Sequence, residues 1–178
     1  MRIIAGSAKG LTIRTASQGT RPMTGRARES LFSIIAAHLP GAEVLDLFAG
    51  SGSLCLEALS RGATHAVFVE RGREAARILR DNVESVGLGG TVMERDVALA
   101  MESLSRVFDV VFVDPPYGHE NADVEALLAQ LERILSPDGL IVVHRRAQGV
   151  SGVPEFLTST DERRYGDAVI TMFERTVS

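Results

Sequence analysis

One cysteine, Cys55, stands in 178 residues, and the four histidines are scattered along the chain. No disulfide can therefore form within the chain, and no Cys/His pair falls at zinc spacing. These absences exclude a disulfide scaffold and a structural metal, and point to a reducing cytosol. No apolar run approaches the length of a membrane span. The opening Met1-Arg2-Ile3-Ile4-Ala5-Gly6 turns polar at Ser7-Ala8-Lys9, too soon for the core of a signal peptide. The expectation is a cytoplasmic protein with no membrane partner and no metal. Repeats and low-complexity linkers are also absent. A chain of 178 residues suits one domain, burying roughly two-thirds of its unfolded surface.

The formal net charge of −4 by itself argues against a nucleic-acid partner, but its distribution argues the other way. Residues 1–40 hold six basic groups against the single acid Glu29, so a basic arm precedes an acidic body. Such asymmetry suits phosphate binding, with a solvated terminus as the plainer alternative.

Along the arm, Ile3-Ile4-Ala5 and Leu11-Thr12-Ile13-Arg14-Thr15 flank the turn Gly6 to Gly10, which predicts a hairpin. Thr24 can cap a helix from Gly25 to His38, ended by Pro40-Gly41. From Glu43 apolar β runs alternate with amphipathic helices. Strands are expected at 43–47, 65–70, 91–95, 109–113 and 139–144, and helices at 53–61, 73–86, 97–104 and 121–135. Near-continuous apolar strands between helices mean a parallel sheet covered on both faces. Phe156 to Arg164 and Ala168 to Arg175 flank Tyr165-Gly166-Asp167 with no room for a helix, so they read as a closing antiparallel hairpin. The fold expected is α/β: a Rossmann-like, doubly wound, mostly parallel seven-stranded sheet with a C-terminal antiparallel hairpin. A small hairpin-and-helix extension at 1–40 precedes the main domain at 41–178.

In such a sheet ligands bind beyond the carboxyl ends of the strands, where strand order reverses. Val44-Leu45-Asp46-Leu47-Phe48-Ala49-Gly50-Ser51-Gly52-Ser53 is a strand, a glycine turn and a helix start at that place. Gly50 and Gly52 allow positive φ and close approach, and the helix start offers free N–H groups. The third glycine of the dinucleotide pattern is missing, because Gly50-Ser51-Gly52-Ser53-Leu54-Cys55 ends in cysteine. Asp46 would also repel a phosphate, and suits an ammonium group instead. Glu70, twenty residues after Gly50, ends the second strand, where a carboxylate accepts both hydroxyls of a ribose. Asp96 after the third strand suits an adenine amino group. Helix capping explains any one of these acids; three on one rim favour a nucleoside with a charged tail, and S-adenosylmethionine meets all three.

Asp114-Pro115-Pro116-Tyr117 follows Val110-Val111-Phe112-Val113. Two prolines fix φ and carry no N–H, so their carbonyls and the Asp114 carboxylate present acceptors without donors. That suits the hydrogens of an exocyclic –NH₂, whose lone pair is then aimed at an electrophilic methyl. Tyr117 can stack on the base. The plainer reading is a loop that stops a strand and starts a helix. Three other residues read as bland: Cys55 as a small core residue, His119 as a loop or helix-start residue, and Phe48 as packing on either core or cofactor.

The chain resembles the class I S-adenosylmethionine-dependent methyltransferases, and within them the RsmD family of bacterial 16S rRNA guanine-N2 methyltransferases, nearly end to end. The resemblance rests on Arg2-Ile3-Ile4-Ala5-Gly6 with Gly10; Arg21-Pro22-Met23-Thr24 leading into Arg26-Ala27-Arg28-Glu29-Ser30-Leu31-Phe32; Asp46 to Gly52; Glu57 to Ala63; Asp114 to Tyr117; and Arg164-Tyr165-Gly166. It implies methylation of guanine 966 of 16S rRNA, on N2, in the small ribosomal subunit. By the same resemblance Asp46, Gly50 and Gly52 line the methionine end of the cofactor, Glu70 the ribose and Asp96 the adenine. Thr24 and Arg28 border the pocket, and Phe48, Ala49, Ser53, Arg71, Val97 and Asp114 complete the cofactor-binding set. Asp114, Pro115, Pro116 and Tyr117 form the catalytic set. Arg2, Lys9, Arg14, Arg21 and Arg26 would meet RNA phosphates. A monomer is expected. The competing readings are a DNA adenine-N6 methyltransferase, a nicotinamide-dependent oxidoreductase and a non-catalytic RNA-binding assembly module.

Overall fold

Five parallel strands carry the sheet, four built around buried apolar residues and one, at an edge, only partly buried. In the computed structural model, which describes residues 1–15, 23–116, 118–146 and 149–176, they are β1 (Glu43–Asp46), β2 (His65–Val69), β3 (Thr91–Met93), β4 (Phe108–Val113) and β5 (Leu135–Arg146). Arg21 and Tyr117 lie outside the described residues. The five strands are parallel, and β6 (Leu157–Tyr165) and β7 (Ala168–Arg175) add the expected antiparallel hairpin, with β7 against β5. The order is β3-β2-β1-β4-β5-β7-β6, so strand order reverses between β1 and β4. That places a crevice beyond their carboxyl ends.

Alternation along each strand divides the core in two. Val44, Val110, Phe112 and Val142 face one side, with Phe32 and the arm residues Ile3 and Ile13. Leu45, Val111, Val113 and Ile141 face the other, with Met101 and Leu128. Phe112 is wholly buried and meets Phe32 with ring centroids 5.9 Å apart. Removing such a side chain costs about 3–5 kcal/mol.

The helices are α1 (Gly25–Ile34), α2 (Ser53–Ser60), α3 (Arg73–Val86), α4 (Val97–Ser103) and α5 (Asn121–Gln130). Thr24 caps α1 by accepting from Ala27 N at 3.3 Å, and the last expected turn tightens into a 3₁₀ segment, Ile35–His38. The expected helix 121–135 is shorter: α5 passes into a 3₁₀ turn, Leu131–Arg133, and Leu135 already pairs with Phe108. Phe108 N donates to Ile134 O at 2.7 Å, so strand pairing claims the residues that periodicity assigned to the helix. Ser136-Pro137-Asp138-Gly139, which spans the expected gap between helix and strand, is an irregularity between the Phe108 and Val110 pairings of β5.

The predicted N-terminal hairpin is reduced to one bridge, Arg2 with Thr12, flanked by Ile3 N→Leu11 O at 3.0 Å and Ile13 N→Met1 O at 2.8 Å. Further groups of the arm are tied to α2. Buried Glu57 accepts from Ile4 N at 2.7 Å, Ala5 N at 3.0 Å and Arg61 Nε at 2.8 Å, and Ser60 Oγ accepts from Ala8 N at 3.0 Å. Gly6 takes φ +84°, and a Cβ there would stand 1.7 Å from Ser60 O, so only glycine permits this docking. Among the described residues no helix is long and apolar enough to cross a membrane.

Candidate active site

The carboxyl ends of β1, β2, β3 and β4 deliver Asp46, Glu70, Asp96 and Asp114 to one rim, around a cavity of about 650 Å³. Beside it, Gly50 and Gly52 turn the chain with φ +51° and +83°. A Cβ on Gly52 would come within 2.5 Å of Leu79 Cδ1, so the turn packs directly on α3, whereas a Cβ on Gly50 would meet nothing within 4 Å. Gly50 is open to the cavity that it lines.

Each acid has a distinct local job. Glu70 braces the turn: Oε2 accepts from Gly50 N at 2.9 Å and Oε1 from Gly72 N at 2.7 Å. Each carboxylate oxygen keeps further lone-pair capacity for a ligand hydroxyl. Asp96 caps α4, Oδ1 accepting from Ala98 N at 3.0 Å, while Oδ2 lies 3.6 Å from Arg71 Nη1. The capping role is thus real for Asp96, and coexists with its place on the cavity wall. Asp46 is buried, with Oδ1 accepting from Phe48 N at 3.2 Å. Burial pushes its carboxyl up to about 8, with the charges of Asp114 and Glu70 adding to the effect and the Phe48 hydrogen bond opposing it. Such a site favours a positive ligand, whose arrival would let Asp46 ionise.

Of the sequence-predicted residues, Phe48, Gly50, Glu70, Arg71, Asp96, Val97, Asp114 and Pro116 line the cavity. Asp46, Ala49, Gly52, Ser53 and Pro115 are not on its described wall, although all lie within the segments that build it. Thr24 and Arg28 are also off the wall. Arg28 is buried, donates through Nη2 to Arg2 O at 2.5 Å and reaches Met1 Sδ through Nη1, so it braces the arm against α1. Burial lowers its pKa, an effect that nearby Glu57 opposes. Arg2, Lys9, Arg14 and Arg26 are exposed, and Arg14 pairs with Asp81 at 3.1 Å. Arg21 and Tyr117 fall outside the described residues.

Several residues that sequence reasoning missed take part. Thr15 brings the arm to the cavity wall. Buried Asn82 of α3 ties that arm to the glycine turn: Nδ2 donates to Arg14 O at 2.8 Å and Ser51 O at 2.9 Å, and Oδ1 accepts from Arg14 N at 2.9 Å. His119 lines the cavity and meets Phe48 edge to face, with centroids 5.5 Å apart. His144 of β5 places Nδ1 2.8 Å from Asp114 Oδ1. A polar residue on an amphipathic helix and a lone histidine give no local signal, and only the fold brings them to the site. Cys55 is fully buried and its thiol is pushed well up by burial, so it is core.

Residues 1–174 match the family described as conserved hypothetical protein 95. Ribosomal RNA small subunit methyltransferase D of Escherichia coli K12 is 32% identical over 178 residues, covering 98% of this chain and 90% of that protein. The protein of the same name from Haemophilus influenzae is 33% identical over 172 residues, covering 93% and 89%. Among solved structures, the E. coli protein yhhF superposes with a TM-score of 0.87 at 31% identity, covering 98% of this chain and 97% of that one. A hypothetical protein of Thermus thermophilus gives 0.84 at 32%, covering 98% and 99%.

Proposed function

Because the chain belongs to the conserved hypothetical protein 95 family, the RsmD methyltransferases with S-adenosylmethionine as cofactor, we propose that it methylates 16S rRNA on the exocyclic N2 of a guanine, by resemblance guanine 966, in the small ribosomal subunit. The observation that carries this reading is the Asp114 turn beside a nucleoside-sized cavity. Asp114 and Pro116 stand on the same wall as Gly50, Glu70 and Asp96, so an amine held by the turn would meet a methyl donor seated on the glycine loop.

The residues present fit that donor. The cavity of about 650 Å³ lies within the usual range for small-ligand sites. Gly50 leaves the turn open, Glu70 and Asp96 offer acceptors for hydroxyl and amino groups, and the acids around Asp46 favour a cation. Bound there, S-adenosylmethionine supplies an electrophilic methyl group on sulfonium sulfur.

The chain's own residues then have separate tasks. Glu70 holds the glycine turn in place by accepting from both Gly50 and Gly72. Asp114 accepts the hydrogens of the target amine, which favours a pyramidal nitrogen and aims its lone pair into the cavity. Proline at 115 and 116 removes N–H groups that would compete for the same acceptors; the Pro116 carbonyl is met by His119 N at 3.5 Å, a long contact. The gain is orientation and electrostatics, so no strong general base is needed. The exposed Arg2, Lys9 and Arg26 belong to the same arm that reaches the cavity at Thr15, which suits phosphate contacts flanking an extruded base.

The test is transfer of labelled methyl to small subunits lacking the modification, to naked 16S rRNA and to unmethylated duplex DNA, followed by nucleoside analysis. N2-methylguanosine from the particle or the rRNA is expected. N6-methyladenine from the DNA would replace this reading with the DNA methyltransferase one. Cofactor binding without transfer to any substrate would favour the assembly module.

A further inference from the structure

We propose that His144 is a positioning residue for the amine-holding turn: its imidazole occupies one oxygen of the Asp114 carboxylate and leaves the other for the substrate. The inference rests on the role given above to Asp114. β4 and β5 are parallel neighbours with Val113 opposite Val143, so the next residue of each strand, Asp114 and His144, emerges on the same face. The two side chains meet there, with Nδ1 at 2.8 Å from Oδ1. An ionised carboxylate only accepts, so Nδ1 carries the proton of this bond.

The other ring nitrogen is what makes this histidine informative. His144 Nε2 is buried, and among the described residues it has no hydrogen-bond partner. On the other side of β5 the register partner of His144 is Ile170, which offers only apolar contact. Packing alone therefore selects against histidine, since an aliphatic side chain in the same space would leave no orphaned nitrogen. The bond to Asp114 is the compensating interaction.

Asp114 needs such a donor. Its charge acts on Asp46, Glu70 acts on Asp46 as well, and these acids share one rim, where among the described residues the Asp114 side chain has no hydrogen-bond or ion-pair partner other than His144. A carboxylate among like charges, with a third of its side chain exposed, would otherwise rotate toward solvent. One fixed oxygen sets the direction of the second, and small errors in that direction are costly for an in-line displacement.

The experiment uses the whole protein with His144→Leu, which fills the space without a donor, and His144→Asn, which keeps an N–H near the Nδ1 position. The kcat and KM for methyl transfer to small subunits are measured beside the Kd for S-adenosylmethionine. His144→Leu should lose about ten- to a hundredfold in kcat, with KM and Kd near wild type; His144→Asn should recover most of that loss. Unchanged kcat in His144→Leu, or equal losses in both variants, would overturn the proposal, the second because shape rather than the hydrogen bond would then matter. Wild-type protein that binds cofactor but transfers methyl to no RNA would overturn the parent reading instead. An unchanged Kd in each variant excludes misfolding as the cause of a loss.

Discussion

Cofactor binding should release a proton from Asp46, and the size of the release follows from the site. With its carboxyl at about 8, Asp46 is protonated in about nine-tenths of the free protein at pH 7. The ligand brings two positive centres, an ammonium and a sulfonium, into a rim that already carries Asp114 and Glu70. If those cations draw Asp46 into its ionised form, binding at pH 7 releases close to one proton. Affinity then improves about tenfold per pH unit up to 8 and levels above it, because each unit below the pKa adds about 1.4 kcal/mol to the binding cost. Calorimetric titration in buffers of different ionisation enthalpy reads the proton count directly, and repeating it from pH 6 to 9 reads the slope. Asp46→Asn should bind with a buffer-independent enthalpy and no pH slope. It should be about a hundredfold weaker than wild type at pH 8.5, converging with it toward pH 6. Stability of the free protein gives an independent check. The folded state holds this proton more tightly than the unfolded chain, so stability falls as pH rises from the ordinary carboxyl value of 3.8 toward 8, a decline that Asp46→Asn removes. A wild-type affinity flat from pH 6 to 8, with no proton released, would refute the reasoning.

Two further variants probe how the site is built. Gly52→Ala places a Cβ 2.5 Å from Leu79 Cδ1 at φ +83°, and should lower unfolding stability by about 1–3 kcal/mol in urea titration, with weakened cofactor binding; unchanged stability would show that the turn relaxes freely. Asn82→Ala removes three hydrogen bonds shared by Arg14 and Ser51, and should cost about 1–3 kcal/mol together with several-fold weaker cofactor binding. Loss of stability alone would mean that Asn82 holds the arm without shaping the turn.

The strands were legible because Val, Ile and Phe runs between amphipathic helices admit few arrangements, and the strand-end acids were legible because a parallel sheet sends every carboxyl end to one rim. The α5–β5 boundary was not, since Ser136-Pro137-Asp138-Gly139 has the composition of a turn and only the pairing of Leu135 with Phe108 shows it to lie within a strand. Arg28 sits in a motif beside Thr24 that the resemblance assigns to the pocket border, yet its guanidinium turns inward to Arg2 and Met1. Nothing local marks Asn82 or His144, and the motif that holds Glu57 gives no sign of what that residue binds. Apart from Arg61, one helical turn from Glu57, their partners are 30 to 68 residues away, so these roles exist only once the arm docks on α2 and β5 joins β4.

The central claim, that the rim divides its labour between holding a cofactor and holding an amine, is tested most directly by Asp114→Ala, with methyl transfer to small subunits and cofactor Kd measured on the same preparation. The account predicts a loss of transfer of at least about a hundredfold, with Kd unchanged or slightly tighter, because removing the Asp114 charge eases the ionisation of Asp46. Parallel loss of transfer and of cofactor affinity would contradict it, and would make Asp114 part of the cofactor pocket.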